Sequence, residues 1–410
     1  MKVMVIGGGG REHAIIDKLL ESPKVQRVYW ADTKVKKVPD KVEMTIIDSL
    51  DFPALGDFAE ENGVDFTIVG PELPLTEGIV DYFLNRGLLI FGPDKRGAML
   101  EGSKTFAKGL MLKYGVPTGK HVEIKDLAHG KEIIENWGTP IVFKLDGLAG
   151  GKGVVIPQSP EEAYNELEEL IRKNPQQKIF AEEYLQGEEI SYMVLVSKNS
   201  YLPLVPSRDY KRVYDGNKGS NTGGMGSVAY KGLISKEEKE YIEREIIQKT
   251  LKGLDNEGIQ FTGILYAGLM MTNEGPKVLE FNTRFGDPEA QSILQLIQGD
   301  LAELLYGACQ GNLPEELPFK DGTALTLVLA SEGYPGEYKT GYEIKGIDEV
   351  SCKVFQGGTE YRDGKILTAG GRVLNLTVVE DDVDKCREIL YKEGQKITFL
   401  GKYFRTDIGL

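Results

Sequence analysis

Glu280, Asn282 and Arg284 stand two residues apart in the stretch Lys277-Val-Leu-Glu-Phe-Asn-Thr-Arg-Phe-Gly-Asp-Pro-Glu289. Val278, Leu279 and Phe281 favour a strand, and side chains two apart on a strand share one face. A carboxylate and an amide oxygen so placed are hard ligands, suited to a Mg²⁺ ion that already carries nucleotide phosphates. The guanidinium next in line offers a planar donor fork to a phosphoryl or carboxylate group. Asp287 reads as a helix N-cap and Pro288 as the first helical position. The pattern suggests phosphoryl chemistry. Taken alone, it fits a polar edge strand with a solvated face equally well.

Four further segments carry groups that suit a nucleotide or a small anion. Asp146-Gly-Leu-Ala-Gly-Gly-Lys-Gly153 lacks the Gly-Lys-Ser/Thr of a Walker loop. Gly150, Gly151, Lys152 and Gly153 still suit a flap between two strands whose amides cover a triphosphate, and Lys144 and Lys104 add point charges. An ordinary mobile hairpin is the plainer alternative. In Glu182-Glu-Tyr-Leu-Gln-Gly-Glu-Glu189, the backbone from Glu183 through Tyr184 to Leu185 can read a base edge, and Glu189 can accept ribose hydroxyls. An acidic run of this kind is more often a solvated turn. Arg208, Asp209 and Lys211 in Ser207-Arg-Asp-Tyr-Lys211 suit a zwitterionic amino acid or developing phosphate charge. At Gly7-Gly-Gly-Gly-Arg11 a dinucleotide fingerprint fails, because Glu12 stands where its third glycine belongs. What remains is a nest of backbone donors at Gly9, Gly10 and Arg11 for a single phosphate or carboxylate, or else a purely structural tight turn. The chain has 3 histidines and no Gly-x-Ser-x-Gly elbow, which argues against covalent nucleophilic catalysis.

The elements that must position these residues change along the chain. Through the first hundred residues, short apolar strands such as Val3–Ile6 and Phe66–Val69 alternate with helices whose apolar stripes include Ala14, Ile15 and Leu19, then Ile79, Val80 and Phe83. That alternation predicts a doubly wound parallel sheet with ligands beyond the carboxyl ends of its strands, where the glycine turn and Gly70-Pro-Glu72 both fall. From about residue 100, helices capped by Ser103, Ser159 and Ser235 alternate with strands near 141–144, 179–181, 190–196, 262–271 and 277–282. Residues 207–227 read as a polar, glycine-rich loop. A strand-rich unit with one helix closes the chain.

The 410 residues, 41% hydrophobic and 27% charged, are ordinary for two to four compact soluble units. A net charge of −14 argues against a general nucleic-acid binder, and no apolar run is long enough to span a membrane. No signal-peptide pattern precedes the first strand, and 3 widely separated cysteines suit a reducing cytoplasm. The lack of heptads or a long apolar edge predicts a monomer.

Taken in order, the segments resemble the ATP-grasp ligases, and within them the phosphoribosylamine–glycine ligase family. The resemblance rests on Val5-Ile-Gly-Gly-Gly-Gly-Arg-Glu-His-Ala14, Val69-Gly-Pro-Glu72, Leu100-Glu-Gly-Ser-Lys104, Asp146 to Val154, Asp209-Tyr-Lys-Arg-Val213, Asn221-Thr-Gly-Gly-Met-Gly226, Glu280 to Glu289 and Gly333-Tyr-Pro-Gly336. It runs nearly end to end. The fold it implies is α/β and α+β: an N-terminal doubly wound parallel sheet (1–100), a central ATP-grasp fold of two α+β subdomains (101–315, the mobile one about 118–186) and a C-terminal strand-rich α+β domain (322–410).

The resemblance also implies ATP between two sheets. Lys104 and Lys144 would lie on phosphates, the 146–153 loop over them, Glu182 to Leu185 on adenine and Glu189 on ribose. Glu280 and Asn282 would hold Mg²⁺ or Mn²⁺. Glycine would become glycyl phosphate, with Arg284, Lys211 and Asp209 at the reacting centre, and phosphoribosylamine would displace phosphate in purine synthesis. Gly9, Gly10, Arg11, Glu72, Arg208 and Asp209 are the expected substrate contacts. Two departures stand out. Ala267-Gly-Leu-Met-Met271 occupies the place where many ATP-grasp enzymes carry a further acidic metal ligand, and Tyr210 stands where close relatives often have His. The competing readings are a biotin-carboxylase-like or other purine-pathway ATP-grasp enzyme, a nucleotide-binding regulator without turnover, and a dehydrogenase.

Overall fold

Near-continuous apolar runs build the N-terminal sheet, as expected where both faces are covered by helices. In the computed structural model, which describes residues 1–147, 153–198 and 200–410, Val3 to Ile6 are wholly buried. Five parallel strands lie in the order Val42–Thr45, Arg27–Ala31, Lys2–Ile6, Phe66–Val69, Ile90–Phe91. The chain leaves the first strand towards one side of the sheet and later returns on the other. The resulting crevice opens beyond Ile6, over Gly7 to Gly10 and the helix Gly10–Leu20.

A larger antiparallel sheet fills the middle and end of the molecule. Its strands run Gly275–Asn282, Thr262–Thr272, Glu188–Ser197, Ser207–Asp209, Gly226–Ala229, Thr323–Ser331, Arg372–Glu380, Lys353–Gln356. Residues 207–227 are therefore not one loop. Ser207–Asp209 and Gly226–Ala229 are sheet strands, and a hairpin of Arg212–Tyr214 with Lys218–Asn221 lies between them. The buried Ser227 hydroxyl is satisfied through a ladder: Ser227 meets Ser292 at 2.8 Å, Ser292 meets Thr326 at 2.7 Å, and Thr326 meets Thr377 at 2.8 Å. A hydroxyl ladder of this kind gives no apolar signal in the sequence. Because Gly226–Ala229 pairs with Thr323–Ser331, the sheet passes without a break into the C-terminal strands.

A separate four-stranded sheet, ordered His121–Ile124, Ile179–Glu183, Ile141–Leu145, Val154–Val155, has its own apolar core built from Ile124, Ile133, Phe143, Leu167 and Ala181 among others. Ser159 caps the helix Pro160–Lys173 through the Glu162 amide, but the Glu162 carboxylate turns to the Gln158 amide, so the expected reciprocal box is only half made. Around Ser235 both halves form. Among the described residues, no helix is long and apolar enough to cross a membrane.

Candidate active site

The strand Gly275–Asn282 is where the two sheets meet. The Val278 amide donates to Pro117 O at 2.8 Å, just ahead of the small sheet, and Lys144 Nζ reaches from that sheet to Leu279 O at 3.4 Å. Glu182 Oε2 lies 2.8 Å from Lys144 Nζ and 3.1 Å from Lys108 Nζ. The Glu182 carboxylate is thus buried between two ammonium groups. Local pattern could not show this, because Lys108 comes from the helix Lys104–Tyr114 and carries no motif. Burial opposes the charge of Glu182, but the two lysines outweigh it and hold the carboxyl below its usual range.

Lys104 opens the same helix. Its Nζ donates to Gly147 O at 2.9 Å, and Asp146 Oδ1 accepts from its amide at 2.7 Å. Asp146 therefore fastens the start of the glycine segment to a helix N-terminus. Burial lowers the Lys104 pKa, opposed chiefly by Glu280. Gly150, Gly151 and Lys152 lie outside the described residues; Gly153 O accepts from the Leu145 amide at 3.0 Å. Beyond the small sheet, Glu183 Oε2 accepts from the Lys120 amide at 3.0 Å, Tyr184 is exposed and Leu185 is buried against Gly119. Glu189 lies 2.9 Å from Lys211, whose charge holds its carboxyl below the usual range.

Glu280 is exposed, and among the described residues its carboxylate makes no hydrogen bond or ion pair. Gly268, directly opposite on the next strand, leaves space beside it. Asn282 Oδ1 accepts from Arg284 Nη2 at 3.3 Å. Among the described residues no group of three or more His, Cys, Asp or Glu side chains could enclose a metal. The donor set fits a hard divalent ion whose remaining ligands are phosphate oxygens and water, and it does not fit an all-protein cage.

Arg284 is more engaged than its sequence position suggests. Nη2 lies 2.8 Å from Glu101 Oε1 and Nε lies 3.5 Å from Glu72 Oε2. Glu101, which also receives the Thr283 amide at 2.8 Å, had no signal beyond its place in Leu100-Glu-Gly-Ser-Lys104. The helix Glu289–Leu296 has Pro288 at its N-cap, not Asp287. The Asp287 carboxylate instead meets Arg372 at 3.1 Å and Gln291 at 2.7 Å, so a distant charge has taken the side chain from the local cap.

The charges of Glu289, Lys211, Arg372 and Glu189 all act on the buried Asp209 carboxyl. Burial first, and then Glu289, pushes its carboxyl well above the usual range, and its Oδ1 has no partner among the described residues. Glu289, buried and unremarked in the sequence, accepts from Tyr266 at 2.6 Å and Ser191 at 3.1 Å. Arg208 is not brought to this group. Strand alternation turns it away, and it pairs with Glu188 at 2.5 Å.

At the N-terminal crevice, Glu12 explains the failed fingerprint. Its carboxylate accepts from the Gly9 amide at 2.6 Å and from Arg11 Nε at 2.7 Å, and a Cβ on Gly70 would lie 1.8 Å from it. The nest is thus partly filled by the chain's own acid. Arg11 Nη1 donates to Phe285 O at 3.1 Å, tying the turn to the Arg284 segment. A Cβ on Gly10 would fall 2.1 Å from Asn375 Nδ2 and 2.7 Å from Gln291 Nε2. Gly10→Ala is accordingly expected to cost about 1–3 kcal/mol by overpacking, read from the denaturant midpoint. His13 is pushed down to about 4, chiefly by burial, and its Nδ1 accepts from the Gln356 amide at 2.8 Å; it is a packing residue.

Family models for phosphoribosylglycinamide synthetase match the chain in three consecutive parts: the N domain over residues 1–101, the ATP-grasp (A) domain over 102–290 and the C domain over 324–410. A phosphoribosylamine–glycine ligase of Caldanaerobacter subterraneus subsp. tengcongensis is 45% identical over 100% of this chain and 99% of its own length. That of Halalkalibacterium halodurans is 41% identical over 100% of this chain and 96% of its own. The crystal structure of a Thermotoga maritima phosphoribosylamine–glycine ligase superposes with a TM-score of 0.85 at 31% identity, covering 100% of both chains. The biotin carboxylase domain of a Hydrogenobacter thermophilus 2-oxoglutarate carboxylase shares the fold, with a TM-score of 0.75 at 18% identity over 98% of this chain and 91% of that one. The ordered motifs, the paired sheets and the end-to-end likeness agree: the chain belongs to the phosphoribosylglycinamide synthetase family, ATP-dependent carbon–nitrogen ligases of purine biosynthesis built on an ATP-grasp domain.

Proposed function

We propose that this chain joins glycine to 5-phosphoribosylamine at the expense of ATP, releasing glycinamide ribonucleotide, ADP and phosphate. The observation that carries the reading is the meeting of Lys144 with the Gly275–Asn282 strand, which brings its ammonium to the strand that carries Glu280 and Asn282. ATP lies between the sheets, with Lys104 and Lys144 on its phosphates, Glu182 to Leu185 along the base and Glu189 near the ribose. Glu280 and Asn282 would hold Mg²⁺ or Mn²⁺, which would neutralise charge on the phosphates. The small sheet, with its own core, closes as a unit over the nucleotide and excludes water.

A glycine carboxylate oxygen attacks the γ-phosphorus and the bond to the ADP oxygen breaks, giving glycyl phosphate. The amine of phosphoribosylamine then attacks the acyl carbon, phosphate leaves, and one proton is released as the amide forms. Lys211 offsets charge in the glycine subsite, and Arg284 offers Nη1 to the acyl phosphate. Ionised Asp209 accepts the glycine ammonium. The work is positioning and charge neutralisation.

Because the Asp209 carboxyl is shifted upward, its ionised fraction declines as pH falls through a range above that of ordinary carboxylates. The KM for glycine is therefore expected to rise on that acid limb while the KM for ATP holds. Asp209→Asn should raise the glycine KM by about tenfold or more and remove the limb. The reaction itself is tested by ADP release with glycine and phosphoribosylamine, against bicarbonate as the alternative acceptor. Turnover independent of glycine would sink this assignment.

A further inference from the structure

The hairpin of Arg212–Tyr214 with Lys218–Asn221 has little packing of its own. Every residue from Tyr214 to Ser220 is exposed, and the pairing is irregular between Arg212 and Tyr214. A two-stranded hairpin without a packed face is marginal in water. Its root nevertheless carries groups of the candidate active site. The Tyr210 amide donates to Gly226 O at 3.0 Å and the Thr222 amide to Lys211 O at 2.8 Å, so the hairpin closes directly on residues 209–211.

Those three residues divide between two environments. Lys211 pairs with Glu189 at 2.9 Å, and the charges of Glu289 and Glu189 act on Asp209. Tyr210, between them, belongs instead to the C-terminal core with Met225, Leu374 and Ile408, and its hydroxyl donates to Leu410 O at 3.3 Å. The hairpin root is therefore fastened from the side away from the charged cluster.

Arg405 is the centre of that fastening. It is 1% exposed, and its Nε and Nη2 form a fork with Asp407 Oδ1 and Oδ2, both at 2.7 Å. Two further donors go to the hairpin: Nη1 to Arg212 O at 2.9 Å and Nη2 to Asn217 Oδ1 at 3.1 Å. The guanidinium carbon stands 5.4 Å from the centre of the Tyr210 ring. Adjacent contacts follow the same line. The Tyr403 hydroxyl donates to Val213 O at 2.7 Å, the Gly216 amide to Asp407 Oδ2 at 2.8 Å, and the Thr406 amide to Asp215 Oδ1 at 2.8 Å. A buried guanidinium is costly unless its donors are satisfied. Here they are satisfied by an exposed hairpin and by the acid two residues on.

We propose that Arg405 is a positioning residue of the ligase, holding the hairpin so that Lys211 and Asp209 keep their places at the glycine subsite. The inference rests on the ligase reading above and extends it to a residue that touches no substrate.

Arg405→Lys keeps the charge and removes the planar fork. Steady-state KM values for glycine and ATP, with amide hydrogen exchange of residues 212–221, read its effect. Exchange in the hairpin is expected to quicken, the glycine KM to rise about tenfold and the ATP KM to stay within about twofold. In an Asp209→Asn chain the same substitution should raise the glycine KM by less than about threefold, because both changes act on one subsite. Effects that multiply in the double variant, or glycine and ATP KM values that rise together, reduce Arg405 to a structural residue and overturn the proposal. Should Arg405→Lys not fold, Asn217→Gly removes one of the bonds at an exposed position whose φ of 55° glycine adopts freely. It is expected to raise the glycine KM about threefold, and an unchanged value overturns the proposal. Wild-type turnover with a glycine KM unmoved by Arg405→Lys defeats the positioning role and leaves the ligase reading standing. A wild-type chain without glycine-dependent turnover defeats both.

Discussion

Glu280→Ala is expected to abolish ligation, lowering kcat by about 10³-fold or more while thermal stability stays within about 0.5 kcal/mol of the parent chain. The two halves of that expectation have separate physical grounds. Glu280 is exposed, and no other described residue hydrogen-bonds to its carboxylate, so removal strands no donor and opens no cavity. In the ternary complex the same carboxylate is the one anionic protein ligand of the proposed metal site. Asn282, a neutral amide, cannot replace its charge. Single-turnover formation of ADP is the measurement to use. A variant that retains more than about a tenth of parental turnover would remove the metal from the Gly275–Asn282 strand. The effect should fall on kcat more than on the KM for glycine, because the charge the ion offsets grows as the γ-phosphoryl group transfers.

Glu182→Ala is expected to damage folding and nucleotide affinity together. Its carboxylate lies within 3.1 Å of both Lys144 and Lys108, and the Glu182 and Lys144 side chains are 6% and 10% exposed. Removing the acid leaves two buried ammonium groups facing one another. Breaking a buried charge set by deleting one member costs about 3–5 kcal/mol, mostly because the survivors are left unpaired. Urea unfolding of the nucleotide-free chain reads this directly. The pH dependence has a definite sign. The Glu182 carboxyl is depressed in the folded state, so its contribution is fully present above the unfolded carboxyl range and is lost as pH falls through the folded value. A Glu182→Gln chain should lack that acid-side loss. ATP should partly rescue the stability of Glu182→Ala, because its phosphates can take up the stranded cations. Stability close to the parent would show that Lys108 and Lys144 find other partners or solvent.

Part of the candidate site was legible because it is local. Glu280 and Asn282 share one strand, where period-two alternation places them without knowledge of the rest of the chain, while Arg284 lies two residues beyond the strand's end. The N-terminal sheet was legible for a similar reason. Its strands are buried on both faces, so they appear as uninterrupted apolar runs between helices. Polar strands were not legible. Ser207–Asp209 and Gly226–Ala229 carry hydroxyls and glycine, and the ladder through Ser292, Thr326 and Thr377 that satisfies Ser227 is assembled only by the packed sheet. The same limit applies to Asp287. Its sequence fits an N-cap, and a guanidinium from residue 372 outcompetes the helix amides for it.

By itself, then, the sequence determined which residue types lie together on each short element, and through the order of its motifs the family to which the chain belongs. The tertiary structure alone decided which charges face one another. It set Lys108 on Glu182, Glu101 on Arg284, Glu289 near Asp209, and Lys36 on the C-terminal carbonyls. Each pairing joins residues far apart in the chain, and each is strong because both partners are withdrawn from water. Burial is a property of the packed molecule that no local spacing encodes.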